Sequence, residues 1–174
     1  MNEPHIRLVP WSEGDLDLLW QTNSPEMTDH LGGPESDEKI RDRHQRYLKL
    51  ETGRMFRVEA LPEGLTAGSI GYWERPWRGG TVFETGWGVL PAFQGRGIAV
   101  AAARAVIEQA RADGRHRWLH AFPGVDHPAS NAVCRKAGFT LLGDVDFEYP
   151  PGTVMRSNDW RVDLHPERAA SAHG

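Results

Sequence analysis

The chain has 174 residues, one domain's worth, and 39% of them are hydrophobic, enough for a sizeable core; a formal charge of −4 leaves no broad basic footprint for nucleic acid. Cys134 is the only cysteine and the eight histidines form no HExxH or paired-His helix pattern, which excludes a disulfide framework and argues against a metal site. The start, Met1-Asn2-Glu3-Pro4-His5, lacks a basic region leading into an apolar run, and no stretch approaches the roughly 18 apolar residues of a membrane span, so a soluble cytoplasmic protein is expected.

The first expected strand is 5–10, with Ile6 and Leu8 on one face. Ser12-Glu13-Gly14-Asp15 then reads as a capping sequence before the apolar Leu16, Leu18, Leu19 and Trp20. Residues 21–36, rich in Asn, Ser, Pro and Gly, read as a loop with one short turn. A charged amphipathic helix is expected over 37–50, burying Ile40, Tyr47, Leu48 and Leu50 and ending at Gly53. Strands follow at 55–61 and 65–73, joined by Pro62-Glu63-Gly64, then a loop at 74–80 and a strand at 81–90. An Ala-rich helix over 97–113 stops at Gly114, a strand covers 117–122, and a short helix over 128–137 stops at Gly138. Two strands, 139–147 and 154–164, close the domain at 1–164, and the polar tail 165–174 is expected to be disordered. Runs of strands in the middle and at the end point to a mixed sheet of the α+β kind.

The most informative stretch joins the fourth of these strands to the Ala-rich helix. Gln94-Gly95-Arg96-Gly97 presents unpaired backbone N–H groups at a helix N-terminus, a natural anion site that glycines open to close approach. A phosphate loop of the Gly-Lys-Ser/Thr kind fails here, because no lysine is present. A dinucleotide fingerprint fails as well, because Val100 stands where the third glycine would be.

Gln94, Gly97 and Ala99 satisfy Gln/Arg-x-x-Gly-x-Gly/Ala, which resembles the pyrophosphate loop of the GNAT acyl-CoA-dependent N-acyltransferases. His127-Pro128-Ala129-Ser130-Asn131-Ala132-Val133-Cys134-Arg135-Lys136-Ala137-Gly138-Phe139 resembles the family's helix after the fifth strand. Ser24-Pro25-Glu26, Leu31-Gly32-Gly33-Pro34 and Glu84-Thr85-Gly86-Trp87 are similar to the branch that acetylates ribosomal-protein N-termini and small amines.

The resemblance, over residues 5–164, implies a mostly antiparallel sheet of about seven strands, splayed between the fourth and fifth, with about four helices. It implies acetyl-CoA as co-substrate, no metal, and a primary amine as acceptor, either a small molecule or a peptide N-terminus. The pantetheine arm would pair with the fourth strand at Trp87, Gly88 and Val89. The backbone of Gln94, Gly95, Arg96, Gly97, Ile98 and Ala99 would hold the pyrophosphate. Asn131 and Arg135, on one face of the later helix, complete the cofactor set. No nucleic-acid or membrane partner is implied, and the state is a monomer or a homodimer.

The amine arrives protonated, so a base is needed. Glu84 is the first candidate, on a strand face that Gly86 and Gly88 leave bare; a strand glutamate paired with an arginine is the plainer reading. His120, on the fifth strand, is the second candidate, and a hydrogen-bonded strand histidine is its plainer reading. Where the family often has a tyrosine to protonate the leaving thiolate stands Cys134, and where its helix often opens with asparagine stands His127. Ser130, one turn before Cys134, is a third catalytic candidate, and the general acid stays unassigned. Trp73, Trp77 and Trp87 lie near the expected substrate end, where they would pack an apolar or cationic substrate, with core and rim packing as the plainer reading, and loops 21–36, 74–80 and 148–153 set the acceptor. Two other readings remain: a non-catalytic module that binds acyl-CoA, and a nucleotide-binding protein using the same glycine turn.

Overall fold

In the computed structural model, which describes residues 3–148 and 151–167, the strands are β1 (Ile6–Pro10), β2 (Gly53–Ala60), β3 (Leu65–Trp77), β4 (Gly80–Val89), β5 (Trp118–Ala121), β6 (Thr140–Glu148) and β7 (Val154–Asp163). They form one sheet in the order β1-β2-β3-β4-β5-β7-β6, antiparallel throughout except for the parallel pair β4–β5. The helices are α1 (Leu16–Thr22), α2 (Pro25–Thr28), α3 (Asp37–Leu48), α4 (Ile98–Asp113) and α5 (Pro128–Ala137). None among the described residues is long and apolar enough to cross a membrane.

The two faces of the sheet are covered differently. Ile98, Ala102, Ala103, Val106 and Ala110 of α4, with Cys134 and Ala137 of α5, pack on Phe56, Ile70, Tyr72, Phe83, Leu119 and Trp160. On the opposite face Leu18, Leu19 and Ile40 of α1 and α3 pack with Trp11, Met55 and Leu90. His44, not expected in the core, is buried there, its Nδ1 accepting the Trp11 indole N–H at 3.0 Å. Tyr47, Leu48 and Leu50 are only half-buried.

Three expectations need correction. The segment 74–80 is not a loop: β3 runs on to Trp77, and the turn is Arg78-Gly79, both at positive φ (49° and 81°) as a two-residue hairpin requires. Pro76 is tolerated because β2 stops opposite Trp73, leaving that side of β3 an edge. Gly53 does not end a helix. It opens β2, where a Cβ would lie 1.9 Å from the Tyr72 carbonyl oxygen. The loop 21–36 holds the short helix α2, with Pro25 in its first turn and the Ser24 hydroxyl accepting the Met27 N–H. At the C-terminal end His165 is buried and its N–H donates to Asp163, so the packed chain passes residue 164; residues 168–174 of the expected tail lie outside the described residues.

Asn131 ties α5 to the sheet. Its amide donates to the Gly124 and His127 carbonyls at 2.9 and 2.8 Å, and its oxygen accepts from Asn158 Nδ2 and Trp160 Nε1, both at 2.8 Å. Removing it strands the buried Trp160 donor, while the Gly124 and His127 carbonyls keep the backbone N–H groups of His127 and Asn131. Asn131→Ala should therefore cost about 2–4 kcal/mol in urea unfolding; a loss within about 0.5 kcal/mol of zero would contradict this role.

Candidate active site

The β4–β5 ladder is short. It pairs only Phe83 with Leu119, Glu84 with His120 and Thr85 with Ala121, whereas β4 stays paired with β3 through Val89. Past Ala121 the chain turns toward β7: Asn158 N–H donates to the Pro123 carbonyl at 2.8 Å, and Val125 N–H to that of Arg156 at 3.1 Å. The edge of β4 from Gly86 to Val89 therefore has no strand beside it among the described residues, and Trp87, Gly88 and Val89 lie on that edge. The Val89 carbonyl takes the Gln94 side-chain N–H at 2.9 Å, which folds Gln94 back over the strand end.

That edge leads into the glycine turn. Gly95 and Gly97 sit at φ 77° and 79°, in the left-handed region that favours glycine, and Gly97 is the N-cap of α4. No side chain among the described residues caps this helix, so the first-turn N–H groups of Ile98 and Ala99 point at the turn unshielded by a capping side chain. The Ile98 side chain is buried in the core, which leaves its backbone for a ligand. Arg96 is exposed above the Phe93 ring, and Arg135 is exposed on α5. Asn131 is different from the rest of the expected cofactor set, because every polar atom of its side chain is already engaged by protein.

Glu84 lies on the face turned away from α4, beside Trp73 and Arg75 of β3. Its Oε1 accepts the Trp73 indole N–H at 3.2 Å and pairs with Arg75 Nη1 at 3.0 Å. Oε2 has no protein partner among the described residues. Burial pushes the Glu84 carboxyl above the usual carboxylate range, and Arg75 and Trp73 only partly offset it. Gly86 does not leave open space: the Trp73 ring comes within 3.2 Å of where its Cβ would be. Glu84 is thus both the arginine-paired strand glutamate and a carboxylate with one unengaged oxygen.

His120 is the ladder partner of Glu84 and is 3% exposed. Its Nδ1 lies 2.6 Å from Oδ1 of Asp159, which is 1% exposed. Around the pair stand Phe122, stacked at 14° on His120, with Trp77 and Phe147 beside it. The Arg75 guanidinium sits 4.1 Å over the Phe147 ring. Sequence reading missed Arg75, Asp159, Phe122 and Phe147. Arg75 fell in the supposed loop, and Asp159 and Phe147 reach the site only because β6 and β7 fold back beside β5.

On α5 the departures from the family pattern resolve in physical terms. His127 is the N-cap, its Nδ1 accepting the Ser130 N–H at 3.1 Å. Burial, and then His30 with its ring 4.1 Å away, hold His127 below its usual pKa, which suits a nitrogen that must stay unprotonated to cap. Ser130 is half-buried one turn before Cys134. The Cys134 thiol is fully buried in the core, and burial pushes it up to about 12.

Residues 5–140 match the acetyltransferase (GNAT) domain family. No curated protein sequence matches the chain. Among solved structures, the chain is similar to a spermidine N-acetyltransferase from Vibrio cholerae in complex with CoA and spermine, at 15% identity and TM-score 0.73 over 91% of this chain and 95% of that one. It is similar to an acetyl transferase from Salmonella typhimurium that modifies the N-terminal serine of a ribosomal subunit protein, at 22% identity and TM-score 0.72 over 91% and 94%. It is also similar to an aminoglycoside acetyltransferase in complex with coenzyme A, at 16% identity and TM-score 0.73 over 95% and 99%. These likenesses carry the fold, and the domain match carries the family: the chain belongs to the GNAT acetyltransferases.

Proposed function

We propose that this chain transfers an acetyl group from acetyl-CoA to a primary amine by direct attack in a ternary complex. One observation carries the reading: an unpaired strand edge, Gly86–Val89, runs from an uncapped glycine turn to a buried carboxylate. The turn backbone, Gln94 to Ala99, holds the pyrophosphate, aided by the exposed Arg96 and Arg135. The edge at Trp87, Gly88 and Val89 lines the pantetheine arm. Bound acetyl-CoA supplies an activated carbonyl and a thiolate leaving group.

Glu84 Oε2 takes the ammonium proton, directly or through water, while Oε1 stays anchored by Trp73 and Arg75. The anchoring keeps the acceptor oxygen in place, and burial makes Glu84 a stronger base than an ordinary carboxylate. The three acetyltransferases similar in fold are described with polyamine, peptide N-terminal and aminoglycoside acceptors, all amines, which supports that class here. A module that binds acyl-CoA without turnover is the second reading, favoured by the buried Cys134 at the family's tyrosine position.

Turnover against a panel of spermidine, an aminoglycoside and a serine-initiated peptide separates the two readings. Glu84→Gln should lower kcat by roughly 10²–10⁴ and leave acetyl-CoA affinity nearly intact. Because burial raises the Glu84 pKa, the acid limb of wild-type kcat should lie above the ordinary carboxylate range and vanish in the variant. Full kcat in Glu84→Gln across pH 6–9 would remove Glu84 as the base.

Gly97→Val should abolish acetyl-CoA binding in calorimetry, since valine is strained at φ 79° and its side chain enters the turn toward Pro4; unchanged affinity would dismiss the turn as the anion site. Cys134 should form no covalent acyl-enzyme. Intact-mass spectra with acetyl-CoA are expected to show no adduct, and Cys134→Ala to keep kcat within about tenfold. A hydroxylamine-labile adduct forming at the turnover rate would contradict this.

A further inference from the structure

The reaction R–NH₃⁺ plus acetyl-S-CoA gives acetyl-NH–R, CoA–SH and a proton. Two protons leave the nitrogen: one is released to solvent by way of Glu84, and the other ends on sulfur. On α5 the residue placed to deliver the second is Cys134, and its thiol points into the core. The second proton needs another carrier.

The sheet holds one. His120 sits opposite Glu84 in the last paired stretch before β4 and β5 part, on the same face. The turn lies at the open end of the gap. Five strand steps of about 3.3 Å put Glu84 roughly 17 Å from Val89, so the sulfur end of the arm reaches the closed end, where Glu84 and His120 stand. The 2.6 Å contact to the Asp159 carboxylate fixes the Nδ1–H tautomer of His120 and leaves the lone pair on Nε2. Stacked Phe122, with Trp77 6.5 Å away, restrains the ring. The charged groups facing it are Glu84 on β4, Arg75 on β3, and Arg161 on β7, which is stacked on Trp118 at 3.8 Å.

Packing alone does not account for Asp159. Its Oδ2 and the neighbouring Ser157 Oγ are buried with no partner among the described residues. A half-paired buried carboxylate costs stability.

We infer that the His120–Asp159 pair carries the second proton from the attacking nitrogen to the coenzyme A sulfur. This rests on the acetyl-CoA reading of the gap. After Glu84 has taken the first proton, the amine attacks and the C–N bond forms. His120 Nε2 takes a proton from that nitrogen. The C–S bond breaks with its electron pair on sulfur, and the imidazolium protonates the thiolate. His120 ends neutral, and Asp159 is a positioning residue that holds it.

Coenzyme A itself is the probe, so no acceptor is required. An imidazole within reach of the sulfur stabilises the thiolate as an ion pair. Followed by thiolate absorbance, coenzyme A bound to the wild type should ionise at least ~1 pH unit below free coenzyme A, about tenfold more thiolate at a given pH. His120→Gln and Asp159→Asn should bind coenzyme A within about threefold of wild type and lose that shift, whereas Glu84→Gln keeps it. A purely structural role for Asp159 would not move this titration. Ionisation of bound coenzyme A at the free value in the wild type overturns the inference without any variant, and so does a shift that survives Asp159→Asn. Failure of coenzyme A to bind the wild type would instead overturn the cofactor reading beneath it.

Discussion

The early end of the β4–β5 ladder is the constraint on which the site depends. Three residue pairs hold the strands together, and beyond Thr85 and Ala121 the chain after β5 bonds to the β7 side instead. A backbone edge with no strand beside it must find other partners. The gap persists because both of its walls are held from behind. β4 is paired with β3 along its whole length. The β5 side is fastened by Asn131, which binds α5, the Gly124 carbonyl, Asn158 and Trp160 in one buried cluster. Asn131 thus serves the gap from outside it.

The same sheet sorts its chemistry by face. One face of β4 and β5 carries Phe83 and Leu119 into the core under α4. The other carries Glu84 and His120, with Trp73, Arg75, Phe147 and Asp159 gathered from β3, β6 and β7 and Phe122 from just past β5. Apolar walls raise the cost of charge on Glu84, and Arg75 limits that cost by pairing with one oxygen only. The pairing opposes the upward shift due to burial while leaving Oε2 without a protein partner among the described residues.

Much of the fold was legible in the sequence because its signals are local. Gly97 and Gly114 bracket α4, His127 and Gly138 bracket α5, and both helices lie within a residue of their expected bounds. The glycine turn was visible for the same reason. The extension of β3 was not, since Glu-Arg-Pro-Trp looks like a loop until β4 is seen to pair with it residue by residue. Neither was Asp159, whose only tie to His120 is a ladder between segments 39 residues apart. Burial decides Cys134: periodicity places it one turn from Ser130, but only the packed core shows that its thiol is fully buried.

The central claim is that acetyl-CoA lies along the free edge of β4 with its pyrophosphate on the α4 turn. Backbone amide hydrogen exchange with and without acetyl-CoA tests it residue by residue. New protection is expected at Trp87 and Val89, whose N–H groups face the open side of β4, and at the first-turn amides from Gly97 to Val100. Binding that leaves those amides unprotected while slowing exchange elsewhere would contradict it.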